Sequence, residues 1–399
     1  MMYAGIDTHL KVHSIEIQNS TGKAMWRGNI KNDMEGFNFL KDKLRAVESS
    51  NNDTIEAIFM NPTGNYHMPV KYFLERIGYR VILVDSRISE HIRITSNLGK
   101  EKSDAADASV LASTARVKPD IMESNGHERD NLSGITRLLT IVKSNMSRII
   151  NQVKSDIAAV FPEYPLYNPI DSKTSLALLE KYPTAELLRD AKIEEVFDLI
   201  SIASRKHYKI EDAINFIQIA KSSIGIDDSD GIYAYRIRMN VKRLKEEKGN
   251  LNEIENYIIK RSENSSDIKN IAGIKGIGVI ASTVIVSEIG DIKQFDSKEK
   301  LQAYGGKAPN IKGSGGKIHA AGVTKIRNPY LSSAVYECAI TLVMHKNPEF
   351  LELFNRETGK GKKNVQAYIV VGKRFLSHIY SIMKNNKPYK SKLSGDNIM

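Results

Sequence analysis

Hydrophobic and polar positions follow two rhythms along this chain. In residues 3–7 (YAGID), 12–18 (VHSIEIQ) and 24–30 (AMWRGNI) apolar side chains come in short, roughly alternating runs, which predicts three strands. The polar NSTG before the third run is a turn signal, so 12–30 reads as a hairpin. The spacing then lengthens. Phe37, Leu40 and Leu44 mark one face of a helix over 33–48. IEAIFM (55–60) predicts a strand, 67–77 a helix, RVILVD (80–85) another strand, and the alanine-rich 104–115 (DAADASVLASTA) a helix.

Beyond residue 130 the helical rhythm takes over. Leu132, Ile135, Leu139, Val142, Met146, Ile149, Val153, Ile157 and Val160 predict one long helix over 130–160, stopped by Pro162 and Pro165. Residues 171–225 read as mixed helical segments. Residues 232–262 form a second long helix, highly charged with a thin apolar stripe. Such a pair is either an antiparallel coiled-coil arm or dimer contact, or a packed pair inside one domain. The early order, three strands, helix, strand, helix, strand, is that of an RNase H-like sheet. The expected fold class is therefore α/β followed by α. At 399 residues the chain is too long for one ordinary core, and the expected domains are 1–125, 126–265 and 266–389, with a flexible tail at 390–399.

Composition narrows the function classes. The residues are 41% hydrophobic and 26% charged, as in globular proteins. No apolar run approaches the ~20 residues that span a bilayer, so no membrane partner is expected. No secretory signal precedes the first strand. A single cysteine, Cys338, excludes an internal disulfide and a cysteine-based zinc site. Its apolar surroundings, AVYECAITLV, predict a buried structural thiol in a reducing cytoplasm. Net charge is +11, and it is unevenly placed: residues 266–399 hold 18 Lys and 3 Arg against 10 acids, whereas residues 1–265 balance at 37 and 37. Either the C-terminal part meets a polyanion, or it carries a solvated lysine-rich surface.

Candidate chemistry lies at both ends. Asp7 closes the apolar strand YAGI. Asp104 and Asp107 lie three apart, on one face of a predicted helix. Hard oxygen donors so placed suit Mg²⁺ or Mn²⁺, although a helix N-terminus also attracts acids without a metal. Near the C-terminus, IAGIKGIGVIASTVIVSEIGD (271–291) has a glycine turn at Gly273, Gly276 and Gly278 ahead of an apolar helix. This reads as a helix-hairpin-helix offering backbone N–H groups to phosphate, or as a plain helical turn. Ser314 stands in KGSGGK, a flexible basic loop between Lys312 and Lys317. Glycines there permit close backbone approach and lysines favour phosphate.

Taken together these stretches resemble a known family. Gly5-Ile6-Asp7, Asn61 ahead of Thr63-Gly64-Asn65-Tyr66, and Lys102-Ser103-Asp104-Ala105-Ala106-Asp107-Ala108 resemble the RuvC-like domain of the DEDD transposases of the insertion sequence 110 family, whose relatives include the Piv DNA invertases. Tyr304, Gly305, Pro309, Ser314, Gly315, Lys325, Asn328, Pro329 and Leu331 resemble its mainly helical C-terminal transposase domain. Two positions depart from the pattern. Asn61 stands where the family has its second acid, and Glu56, five strand residues away at ~3.3 Å each, lies toward the opposite sheet end. His9 shares a face with Asp7 if the strand continues and is a candidate to compensate. Ser332 stands where an arginine commonly follows the leucine, leaving that phosphate contact to Arg327 or missing.

The resemblance implies a DNA recombinase with Ser314 as nucleophile and a metal held by Asp7, Asn61, Asp104 and Asp107. Nucleic acid would be bound by Lys275, Gly276, Gly278, Lys312, Gly315, Lys317, Lys325 and Arg327. It also implies donor and target DNA, a structured bridge RNA, and a dimer or tetramer with composite sites, working at the nucleoid in a bacterial cytoplasm. The rivals are a metal-dependent junction nuclease and an inactive nucleic-acid-binding descendant weakened at Asn61.

Overall fold

The computed structural model describes residues 1–62, 65–84, 103–117, 132–164, 169–307, 309–314, 317–323 and 327–389, with residues 309–323 described by their backbone. The predicted tail at 390–399 lies outside the described residues. The chain divides into two compact units, Met1–Asp130 and Asn131–Met399.

The first unit is built on a five-stranded sheet in the order β3-β2-β1-β4-β5. Its strands are β1 (Met2–Thr8), β2 (Val12–Asn19), β3 (Ala24–Lys31), β4 (Ile55–Met60) and β5 (Val81–Leu83). The first three pair antiparallel; β4 runs parallel to both β1 and β5. Both faces are covered, which is why β1 and β4 are nearly apolar throughout. Met2, Ala4 and Ile6 pack with Phe37, Leu40 and Leu44 of α1 (Met34–Asn51) and with Val70 and Leu74 of α2 (His67–Arg76). Helix α1 starts because the Asp33 carboxylate accepts the Gly36 N–H at 2.8 Å, and it stops at Asn52, whose φ of 46° is left-handed. The other face receives α3 (Asp104–Val117), with Leu111 and Ala115 against Tyr3, Ala57 and Phe59.

The second unit is mostly helical. Helices α4 (Leu132–Val160) and α9 (Ile232–Ser262) are the two long helices expected, and α4 ends two residues before Pro162. They run antiparallel. Leu139 and Val142 near the start of α4 pack on Ile254 and Ile258 near the end of α9. At the other end Val153, Ile157 and Val160 share a core with Ile237, Val241 and Leu244. Four shorter helices, α5 (Lys173–Lys181), α6 (Ala185–Arg189), α7 (Ile193–Ala203) and α8 (Ile210–Lys221), complete that core. A third core joins α10 (Ser266–Ala272), α11 (Val279–Ile289), α12 (Lys298–Tyr304), α13 (Pro329–Met344), α14 (Pro348–Gly359) and α15 (Asn364–Asn385). Cys338 is buried within it, and burial pushes its thiol up to about 12, as a structural thiol should be.

One sequence expectation is corrected. Residues 309–314 and 317–323, around KGSGGK, are not a loop: β6 (Pro309–Ser314) and β7 (Lys317–Val323) pair antiparallel. Glycines at 313, 315, 316 and 322 interrupt the alternation by which strands are read. The signal present in the sequence was a Gly-Gly pair between runs holding Ile311 and Ile318, a pattern that reads as a hairpin turn.

Candidate functional site

In the first unit the site grows from one glycine. Gly5 sits in the middle of β1, and a Cβ there would lie 2.1 Å from the Ala108 carbonyl oxygen and 2.3 Å from the Ala112 nitrogen of α3. Only glycine lets the helix backbone rest on the strand this closely, and the alanines of DAADASVLASTA supply the matching thin helix face. Hydrogen bonds fix the helix laterally: Ser109 Oγ donates to Glu16 Oε1 (3.1 Å), Ser113 Oγ donates to Gln18 Oε1 (3.2 Å), and Gln18 Nε2 donates to Glu16 Oε1 (2.7 Å). Glu16 is buried and paired with Arg27 at 2.7 Å. This polar seam was missed by sequence reading, although Ser14, Glu16 and Gln18 alternate with Ile15 and Ile17 in β2. Ser103 Oγ accepts the Ala106 N–H, which opens the helix at Asp104.

So anchored, α3 brings Asp104 to Asp7. His9 Nε2 lies 3.0 Å from Asp7 Oδ2 and 3.3 Å from Asp104 Oδ1. Among the described residues, Asp7, His9 and Asp104 form a group whose donor atoms all lie within 4.8 Å of one another. Asp7 is 5% exposed, and burial raises its carboxyl above the usual carboxylate value; His9 opposes the rise and Asp104 adds to it. The His9 backbone N–H donates to His13 Nδ1 at 3.3 Å, and burial lowers the His13 pKa. A buried carboxylate facing a second carboxylate and an imidazole is a donor set that fits a divalent cation. Asp107 lies one turn farther along α3, half-buried, and is not in that group. Asn61 directly follows β4, whose Met60 pairs with Ile6, so it stands beside the end of β1; its carbonyl accepts from Thr8 Oγ1 at 3.4 Å. Glu56 is exposed at the opposite end, where Ile55 pairs with Met2.

In the second unit Ser314 is the last residue of β6 and pairs with Lys317, the first of β7, while Lys312 pairs with His319. Gly315 and Lys325 lie outside the described residues. The glycine turn joins α10 to α11. Ile274 and Ile277 are buried beneath it, Lys275 is exposed, Gly276 has φ +95°, and Gly278 is the N-cap of α11. The left-handed φ favours glycine there, and a Cβ on Gly276 would approach the His345 Cβ at 3.2 Å, a tight fit.

Asn328 fixes the start of α13. Its Oδ1 caps α13 by accepting the Leu331 N–H (3.0 Å), while its Nδ2 donates to Tyr304 Oη (2.9 Å) and Glu288 Oε2 (2.7 Å). Glu288 also receives a bidentate bond from Arg137 at 2.7 and 2.8 Å, which roots α4 on the C-terminal helices. Arg327 is exposed and passes over Gly306, and Lys307 Nζ donates to the Ser332 carbonyl at 3.1 Å.

Comparison with known proteins finds transposase families at both ends of the chain. A DEDD transposase family model named for IS110 matches residues 4–162, and a model described as the transposase IS116/IS110/IS902 family matches residues 268–355. The Streptomyces coelicolor "insertion element IS110 uncharacterized 43.6 kDa protein" is 23% identical over 74% of this chain and 74% of its own. The Mycobacterium paratuberculosis "insertion element IS900 uncharacterized 42 kDa protein" is 22% identical over 97% of both chains. The pilin gene-inverting protein of Moraxella bovis is 28% identical over 31% of this chain and 38% of its own, 124 residues in all.

Proposed function

The chain belongs to the IS110 family of transposases, and we propose that it exchanges DNA strands through a serine nucleophile and a metal-binding acidic site. The observation that carries this reading is the convergence of buried Asp7 with His9 and Asp104, held there by the Gly5–α3 contact. Burial leaves the Asp7 carboxylate short of positive charge, and a cation relieves that deficit. Asp7 and Asp104 would hold it, with His9, Asn61 and Asp107 as further donors. A divalent ion there supplies Lewis-acid stabilisation of charge on a phosphate and its leaving oxygen. The nitrogen of His9 favours Mn²⁺ over the harder Mg²⁺.

Ser314 Oγ, on the β6 side of the hairpin connection, attacks a DNA phosphorus. The new Oγ–P bond replaces the P–O bond to the leaving sugar oxygen, which takes up a proton as the serine loses its own. The phosphoserine ester conserves the bond energy for rejoining. The first unit is read as RuvC-like, and the α10–α11 turn as a helix-hairpin-helix presenting Lys275 and the N–H groups after Gly276 and Gly278 to backbone phosphate. Lys312, Lys317, Lys325 and Arg327 extend this basic surface, and Gly315 lets the backbone approach DNA closely. Donor and target DNA, a structured bridge RNA and a dimer or tetramer with composite sites complete the proposal, set in a bacterial cytoplasm. No described helix is long and apolar enough to cross a membrane.

The test is covalent trapping. Wild type incubated with transposon-end DNA in Mn²⁺ should yield a protein–DNA adduct through Ser314. Ser314→Ala should yield none while binding the same DNA. An adduct in the alanine variant defeats the serine mechanism. Metal-dependent cleavage without any adduct in wild type supports a junction nuclease instead, and no reaction in either metal supports an inactive descendant.

A further inference from the structure

The base of the β6–β7 hairpin holds two cations, Arg327, which the sequence singled out, and Lys307, which it did not. Lys307 lies two residues before β6, and Arg327 four residues after β7; Pro309 and Val323, the outermost pair, close the hairpin between them. Gly306, with φ +67°, packs so tightly under Arg327 that a Cβ would fall 2.4 Å from the Arg327 Cδ. Lys307 is only 6% exposed. Its ammonium donates to the Ser332 carbonyl and lies 5.6 Å from the centroid of the Tyr336 ring. Among the described residues neither cation is paired with a carboxylate, and the charged group that acts on Lys307 is Arg327, of like sign.

A buried ammonium beside a guanidinium, without an anion, is a costly arrangement. An apolar residue would fill the space more cheaply. A carbonyl and an aromatic face stabilise the cation without neutralising it, so its charge stays available to a ligand. We propose that Lys307 and Arg327 form a clamp for one DNA backbone phosphate at the base of the hairpin. This rests on the reading of the protein as a DNA recombinase. The clamp is separate from the reacting phosphate. Ser314 lies seven residues beyond Lys307, and the five residue steps of β6 alone span ~16 Å at ~3.3 Å each. The clamp therefore holds the DNA at a distance from the bond that Ser314 exchanges, and Lys307 and Arg327 are positioning residues. Burial and Arg327 bring the Lys307 pKa down to about 8, and a bound phosphate would reverse that shift.

Full-length wild type, Lys307→Met, Lys307→Arg and Arg327→Ala should be titrated with a short random-sequence duplex over a range of salt concentrations, and each melted without DNA. The clamp predicts that Lys307→Met flattens the log–log salt slope by about 0.9, the value of one phosphate contact. Its melting temperature without DNA should rise, because an uncompensated buried charge has gone. Lys307→Arg should keep the wild-type slope. Exposed Arg327→Ala should flatten it with little change in melting. An unchanged slope in both Lys307→Met and Arg327→Ala overturns the clamp alone. So does a Lys307→Met protein that loses melting temperature while Arg327→Ala binds normally, since Lys307 is then a packing residue. Wild type that binds the duplex without salt dependence overturns the DNA reading and the clamp together.

Discussion

Two of the buried acids of this protein, Asp7 and Glu288, are almost inaccessible to water, yet their surroundings are opposite. Glu288 is gripped by two Arg137 N–H groups and by Asn328. Its charge is matched where it sits, and its work is to fasten α4 to the C-terminal helices. Asp7 has beside it an imidazole that is 45% exposed and a second carboxylate. Burial disfavours its charge more than His9 favours it. Burial alone therefore does not mark a functional acid. The mark is burial without sufficient compensation, because that deficit is what a ligand can supply. Lys307 is the same case with the sign reversed, and the two deficits lie in different units, one suited to a cation and the other to a phosphate.

The sharpest way to break the comparison is to move the helix that builds the Asp7 site. Gly5→Val would drive side-chain carbons into the Ala108 carbonyl and Ala112 nitrogen, neither of which can yield without lifting α3. The expected cost is about 3 kcal/mol or more, with loss of any Mn²⁺-induced rise in melting temperature. Gly278→Ala is the control from the second unit: a Cβ there meets nothing within 4 Å, and the cost should stay below about 1 kcal/mol. Chemical denaturation of both variants, with and without Mn²⁺, reads the difference. Equal small effects would mean that Gly5 does not set the Asp7–Asp104 distance.

The Gly5 contact also shows what could be read from sequence. The strands, the two long helices and the 104–115 helix were legible because periods of two and of three to four survive wherever one face packs. Asp7 and Asp104 were legible as candidates because each stands at the end of such a pattern. That α3 lies directly on β1 was not, because a glycine in a strand and alanines in a helix are common separately and acquire meaning only when placed together. Glu16 and Gln18 were invisible for a related reason: a polar face on a strand normally signals solvent, and here it signals a second buried layer. The β6–β7 hairpin was hidden by its own glycines.

The second prediction compares the two acids by removing each charge. Glu288→Gln leaves Arg137 facing a neutral amide and should destabilise the protein by about 3 kcal/mol, the usual consequence of breaking one side of a buried pair. Asp7→Asn should do the reverse, raising apo stability by roughly 1 kcal/mol at neutral pH while abolishing stabilisation by Mn²⁺. Urea melts with and without the metal measure both. Loss of apo stability in Asp7→Asn would place Asp7 with Glu288, as a structural acid.

A smaller effect separates the cationic deficit from the anionic one by pH. The Lys307 ammonium titrates near 8 in the folded chain against 10.5 when unfolded. Between those values the unfolded chain binds more protons, so this group makes stability rise with pH across that window. Well below pH 8 its penalty is fully present. Wild type minus Lys307→Met, melted from pH 7.5 to pH 10.5, should show that rise. A flat difference would mean that the folded ammonium titrates at its ordinary value.

The finest test concerns Asn61, which stands at the end of β4 beside the end of β1, where a further carboxylate would complete the acidic set. Asn61→Asp is isosteric, so packing changes little and the charge is what is varied. Two consequences follow from the same electrostatics. Without metal, a third carboxylate near Asp7 and Asp104 adds like-charge repulsion, and melting temperature should fall slightly. With metal, the extra charge and a stronger oxygen donor should tighten binding, so the Mn²⁺-induced rise should begin at a lower concentration, by a few-fold, and Mg²⁺ should gain more than Mn²⁺ because the harder ion depends more on carboxylate oxygen. Strand exchange should rise with occupancy at limiting metal and converge with wild type at saturation. The opposing signs make the test strict, since a residue that merely caps the turn after β4 gives neither change. If Asn61→Asp leaves both the apo melting temperature and the metal midpoint where they were, Asn61 is not directed at the Asp7 cluster, and His9 is left as the compensating donor.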